Sequence, residues 1–427
     1  MINKNKGWKV TIAGTGINLA LGILYTWSIF KISIKQSIET GGEGSFAWDL
    51  SSLNDPYAVC CLVFSFAMIL AGKCQDKFGP RVTAFLGGIM VGLGFIWISQ
   101  TTSYWCWIIG FGVLAGTGIG FGYSSATPPA LKWFPPARTG LIAGLVVSGF
   151  GLASVYIAPL AKYLLNVWGL QNAMLFFGIA FLLVVCGLSL FLVNPPAGYV
   201  PDKEISNPKH PATTPLKSNN AGALEMLKTR QFYVLWITYF IGAGAGLMVI
   251  GSVAGMAIQS MGEYAFIVVA IMAIGNAGGR IIAGILSDKI GRGQTLMIML
   301  GFQAVLMFVS IFFVGHGDTS AITLLLLATL IGFNYGTNLS IFPSFTKDFW
   351  GLNNFGTNYG IVFTAWGVGG FVMGRLSQML QTDSGSYTSS FITAGVLLMI
   401  GTLLTFFLQA GVLKKAETRK KIQPSPE

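Results

Sequence analysis

Long apolar runs separated by short polar loops occupy almost the whole chain of 427 residues. A bilayer span takes about 20 apolar residues, so runs of 18 or more read as membrane helices. They fall near residues 8–31, 52–73, 82–100, 105–127, 138–162 and 171–194, then near 230–258, 264–286, 293–315, 321–343, 355–381 and 388–412. Between the sixth and seventh lies the only long linker, a polar, Pro-rich stretch from Pro195 to Leu227. The pattern predicts an all-α integral membrane protein with twelve transmembrane helices in two six-helix bundles. Residues 1–194 form the first bundle, 195–229 the cytoplasmic linker, 230–412 the second bundle and 413–427 a basic cytoplasmic tail.

Composition agrees with this and narrows it. Only 10% of the residues are charged, against about 25% in soluble globular proteins. That excludes a water-exposed enzyme of ordinary design. It also excludes a disordered or nucleic-acid-binding chain, despite a net charge of +11. The basic residues report orientation instead. With the N-terminus inside, 21 of the 26 Lys and Arg fall in cytoplasmic loops or tails. Lys31, Lys35 and Lys162 fall outside, while Arg280 and Arg375 lie within spans. The positive-inside rule then places both termini in the cytoplasm. No cleavable signal follows Lys4, Lys6 and Lys9, so the first apolar run is expected to stay in the membrane, here the inner (cytoplasmic) membrane. Cys60, Cys61, Cys74, Cys106 and Cys186 have no metal or redox spacing, and most sit in apolar runs as small hydrophobes. His210 and His316 fall in loops, so no histidine relay is available inside the membrane.

The chain also repeats itself at half its length. Gly72-Lys-Cys-Gln-Asp76-Lys77-Phe-Gly79-Pro-Arg81 follows the second span, and Gly284-Ile-Leu-Ser-Asp288-Lys289-Ile-Gly291-Arg292 follows the eighth. Gly118, Gly122 and Lys132 recur at nearly the same offset as Gly332, Gly336 and Lys347. Two parallel six-helix repeats with this loop resemble the major facilitator superfamily. The resemblance implies a cytoplasmic latch at Gly72, Asp76, Arg81, Gly284, Asp288 and Arg292. The glycines would let helices approach, and the aspartates would meet basic groups or helix N-termini across the interface. A tight turn that sets topology is the plainer reading of the same residues. The run Gly116-Thr-Gly118-Ile-Gly120-Phe-Gly122 lies mid-span with no strand before it, so it reads as a packing surface and not a nucleotide loop.

Arg280 is the outlying charge. It stands eight residues before Asp288, about 12 Å inside the turn at 1.5 Å per residue. A mid-membrane arginine costs about 2.5–3.5 kcal/mol on insertion scales. The acids nearest the spans, Asp55 and Glu263, stand at the outer starts of the second and eighth, so none is placed to offset it. A visiting anion would, since attraction at 4 Å is about 4 kcal/mol at an effective dielectric of 20. The guanidinium fork matches a carboxylate bidentately. Asn276, one turn earlier, is placed to bond the ligand or orient the guanidinium, and Gly275, Gly278 and Gly279 admit a neighbouring helix. The alternative is an arginine bonded to the carbonyls of a broken helix.

Further strings resemble the oxalate/formate antiporter branch, close to the monocarboxylate transporters. They are Tyr25-Thr26-Trp27-Ser28-Ile29-Phe30, Lys132-Trp133-Phe134-Pro135, Arg138-Thr-Gly140-Leu-Ile-Ala-Gly144, Asn194-Pro195-Pro196-Ala197-Gly198-Tyr199-Val200-Pro201 and Met226-Leu-Lys228-Thr-Arg230-Gln231-Phe232-Tyr233, together with Phe342-Pro343-Ser344 and Asn358-Tyr359-Gly360. The likeness implies that Arg280 binds substrate with Asn276 beside it, and that Tyr25, Tyr123, Tyr335 and Tyr359 line the site. The oxalate carriers place a Lys where this chain has Trp366, and the missing second cation argues for a monocarboxylate with Trp366 as an apolar wall. Animal monocarboxylate carriers place an Asp where this chain has Asn276, which removes that position as a proton carrier.

The expected function is therefore alternating-access transport of small monocarboxylates such as lactate or pyruvate, with a proton carried on the substrate acid or a rim group. The rivals are carboxylate exchange of the oxalate/formate type and a non-transporting carboxylate sensor. No nucleophile–base pair or metal cluster points to an enzyme, and no cofactor or metal is expected. The partners are a small carboxylate, a co-transported proton and the lipid bilayer.

Overall fold

Proline and glycine mark where the helices begin and stop. In the computed structural model, residues 2–422 are described apart from 43, 197, 200, 202–220, 262–264, 315–319 and 385–386. Every regular element among them is helical. Helix α1 (Ile2–Leu21) passes through a tighter turn, Gly22–Thr26, into α2 (Trp27–Thr40). The helix thus runs beyond residue 31, where the apolar pattern ends. Lys35 and Glu39 sit one turn apart with Nζ 3.6 Å from the carboxylate. The first breaker is Gly41, at φ 65°. Helices α3 (Asp55–Phe78) and α4 (Pro80–Ile98) each carry a proline in the first turn, where its missing N–H is one of the groups left unpaired in any case. A helical entry, Tyr104–Trp107, and a wider π-helical stretch, Ile108–Ala115, lead into α5 (Gly116–Trp133).

Helix α6 (Thr139–Ser189) is interrupted at Gly169, whose φ of 76° breaks it in the expected gap between the fifth and sixth spans. After the linker come α7 (Arg230–Met261), α8 (Ala265–Ile290), α9 (Arg292–Val314), α10 (Ala321–Trp350), α11 (Phe355–Ser384) and α12 (Thr388–Ile422). Among the described residues, ten helices are long and apolar enough to cross a membrane, the segment broken at Gly169 counting as one of them. Leu70, Leu93, Ile298, Phe312 and Leu403 are exposed on the outside of the bundle. Such an apolar exterior suits hydrocarbon and not water.

Glycine lets the helices approach backbone to backbone. A Cβ at Gly118 would lie 2.7 Å from the Gly87 carbonyl on α4, and one at Gly120 would lie 2.9 Å from the Phe64 carbonyl on α3. The glycine run of α5 is thus a packing surface. Contact between the two halves of the sequence follows the same rule. Gly140 on α6 and Gly284 on α8 face each other with no room for a Cβ on either, and Gly72 on α3 meets the Gly356 backbone on α11 in the same way. These two seams, α6–α8 and α3–α11, hold the first half of the chain against the second.

Candidate functional site

Arg280 is fully buried where α8 crosses α6. Its Nε donates to Asn276 Oδ1 at 2.9 Å, as the one-turn spacing predicts. Its Nη1 donates to the Val147 carbonyl of α6. Its Nη2 has no partner. Glycines make the approach feasible: a Cβ at Gly151 would sit 3.3 Å from the Arg280 Nε, and Gly144 lies directly against the Arg280 carbonyl. Gly279 faces the Phe333 backbone of α10, whereas Gly278 opens onto free space. The guanidinium therefore has one carbonyl, one amide and one donor to spare. None of the ion pairs among the described residues includes Arg280.

Aromatic side chains gather near this donor. The Tyr25 and Tyr335 hydroxyls are 3.1 Å apart, joining the first half of the chain to the second. Trp366 Nε1 donates to the same Tyr335 hydroxyl at 2.7 Å. Trp366, expected as an apolar wall, is thus also a hydrogen-bond donor. Tyr123 packs edge-on to Phe64 and Phe150, with centroids 5.5 and 5.4 Å away. Phe363 stacks on Trp366 at 5.1 Å and meets Phe64 at 5.2 Å. Tyr239 stacks on Phe342 at 4.0 Å. Tyr25 is part-exposed, whereas Tyr123, Tyr335, Tyr359 and Trp366 are buried.

The duplicated loops form a second constellation. Gly79 and Gly291 occupy equivalent places with φ of 86° and 98°, the left-handed region that favours glycine. Asp288 accepts from the backbone N–H groups of Gly140 and Leu141, both at 2.9 Å. Asp76 accepts from Gly356 N–H at 3.1 Å, Thr357 N–H at 2.9 Å and the Thr357 hydroxyl at 2.8 Å. Each aspartate thus caps the first turn of a helix from the other half, α6 or α11, where unpaired N–H groups and the helix dipole favour negative charge. The copies then differ. Arg292 bonds Asp288 at 2.5 Å and the Ser287 hydroxyl at 2.7 Å, and reaches Asp348 at 3.1 Å. Arg81 is exposed and takes no part in these contacts.

The structure brings Arg280 and Asn276 into direct contact and joins Tyr25, Tyr335 and Trp366 in one hydrogen-bonded chain. Phe64, Phe150, Tyr239 and Phe363 pack among these side chains, and sequence reasoning did not single them out. Their depth along the spans was countable. Their rotation toward the centre was not, because nearly every face of a membrane helix is apolar.

Comparison with known proteins bears on the class. The profile of the Major Facilitator Superfamily matches residues 10–374, most of the chain. This chain belongs to that family of transporters. It is 28% identical over 427 residues to the oxalate:formate antiporter of Oxalobacter formigenes, covering 99% of this chain and 96% of that one. To human monocarboxylate transporter 11 it is 26% identical, over 93% of this chain and 82% of that one. Among solved structures, the proton:xylose symporter XylE superposes with a TM-score of 0.71 at 13% identity, covering 95% of this chain and 96% of XylE. That last likeness concerns the fold.

Proposed function

We propose that this protein is a secondary carrier of small monocarboxylates, lactate- or pyruvate-like, and that Arg280 binds the substrate carboxylate. The observation that carries the reading is the unpaired Nη2 of a fully buried arginine. An unmet donor of this kind costs about 1–3 kcal/mol, more when charged, and a carboxylate would satisfy it. Relatedness to an oxalate:formate antiporter and to monocarboxylate transporters supports the same ligand class. In this reading the chain has twelve spans. The bundles are residues 1–194 and 230–412, the linker 195–229 and the tail 413–427, with both termini in the cytoplasm and the protein in the inner membrane. The Asp76 and Asp288 caps then seal the cytoplasmic side, and substrate arrives past Tyr25. Binding neutralises Arg280 and lets the halves rock around an occupied site. A proton travels with the substrate acid.

Arg280→Ala is expected to abolish substrate binding in purified, folded protein, measured by isothermal titration and by uptake into proteoliposomes. Unchanged transport would refute the assignment. Exchange of one carboxylate for another is a second reading, favoured by the amide of Asn276 beside the guanidinium, which supplies no compensating charge. Trans-stimulation by a second anion without pH dependence is its signature.

A further inference from the structure

Lys347 stands in the last turn of α10, four residues past the expected end of the tenth span, and reaches across the seam between the halves. Its Nζ donates to the Thr139 hydroxyl at 2.5 Å. Thr139 is buried and is the first residue of α6. Its own hydroxyl proton goes to the Pro136 carbonyl at 2.8 Å, so toward Lys347 its oxygen only accepts. A neutral amine, which keeps N–H donors, meets that need as well as an ammonium does.

The surroundings do not favour the charge. Lys347 is half-buried and bonds the first turn of α6, where unpaired N–H groups and the helix dipole are positive. The charged groups around it are Asp288 from α8, Arg292 from α9 and Asp348 from its own helix. On the α6 side, Arg138 next to Thr139 is a further cation. Arg292 already engages both acids, at 2.5 and 3.1 Å, and Asp288 also caps α6. Arg292 keeps its own charge throughout. Removal from water outweighs the pull of the acids and brings Lys347 from the usual 10.5 down to about 8.

We infer that Lys347 is a proton-release switch in the seam of α6, α8 and α10: the closed seam accepts it as a neutral amine and the parted seam as an ammonium, so alkalinity on that side holds the carrier shut. This rests on reading the Asp288 end as the cytoplasmic gate, and not on what is carried. Once the seam parts, water solvates the ammonium and restores its ordinary hold on the proton. Below pH 8 both states are charged and their ratio is flat. Between about 8 and 10.5 the closed state has shed to water a proton that the open state keeps, so closure gains as pH rises. From pH 7 to 9 the closed-to-open ratio is expected to grow about tenfold.

Spin labels at positions 137 and 290 would report that ratio by pulsed electron resonance, in the full chain with its five native cysteines replaced and no substrate added. Lys347→Met is expected to show no pH dependence and to favour the closed state at pH 7. Lys347→Arg also loses the dependence but favours the open state. Lys132→Met, altered at the counterpart that faces Asp76 in the other seam, keeps the wild-type slope. A wild-type ratio that is flat or falls with pH, or a slope kept by Lys347→Met, overturns the switch. The wild-type rise must begin near pH 8, so the titration decides even where a variant does not fold. Without substrate present, either result leaves the carboxylate reading as it was, and unchanged transport by Arg280→Ala leaves the switch as it was.

Discussion

Asn276 shows how one atom at the right distance sets the character of a site. Its Oδ1 accepts from Arg280 at 2.9 Å, which fixes one edge of the guanidinium and leaves another for a guest. Asn276→Asp puts a carboxylate in that place. Attraction at 4 Å is about 4 kcal/mol at an effective dielectric of 20, so the new side chain competes directly with substrate. The dissociation constant for a carboxylate is expected to rise at least tenfold, measured by isothermal titration. An unchanged constant would mean that the guanidinium is not the anchor. At this scale the sequence was informative where chemistry is rare. A single deep arginine, with Asn276 one turn before it, was legible because little else in the spans is charged. Trp366 was expected as an apolar wall from its residue type, whereas its bond to Tyr335 at 2.7 Å depends on how α10 and α11 are rotated and could not be read from sequence. Tyr239 was missed for the same reason.

Helices meet across the molecule through pairs of features that the duplication made visible. Asp76 and Asp288 were legible as equivalent positions, and the structure gives each the N-terminal turn of a helix from the other half. What no loop motif contains is the matching glycine on that helix. Gly140 lies against the Gly284 backbone and Gly356 against that of Gly72, with no space for a methyl group. A Cβ at Gly140 would force α6 and α8 apart and lengthen the bonds to Asp288. Gly140→Ala is therefore expected to shift the carrier toward the state open at the Asp288 end. Spin labels at positions 137 and 290, with the five native cysteines replaced, would report it as a longer distance by pulsed electron resonance. An unchanged distance distribution would show that the seam tolerates the methyl group. Arg292 joins Asp288 to Asp348, whereas Arg81 stands exposed. The α6–α8 seam thus carries the richer ionic network, an asymmetry hidden by the near-identical loop strings.

Across the whole molecule, the cost of moving the empty site decides how the carrier works. To return without substrate, the protein must bring Arg280 through a closed state with Nη2 unpaired and an amide in place of a countercharge. The insertion cost of a lone arginine, about 2.5–3.5 kcal/mol, corresponds to roughly a hundredfold in rate if it appears in full in the barrier. In the proposed reading a loaded site avoids that cost, because the carboxylate is the countercharge. Substrate exchange across proteoliposome membranes is therefore expected to outpace net efflux at least tenfold, whether or not a proton accompanies the acid. Asn276→Asp neutralises the empty site from within. It is expected to narrow the gap between exchange and net flux even as it weakens binding. An imposed pH gradient then separates the two forms of coupling: acceleration of net uptake marks a travelling proton, and indifference marks exchange. Equal rates of exchange and net efflux in the unaltered protein would remove the lone guanidinium from the account of the return step.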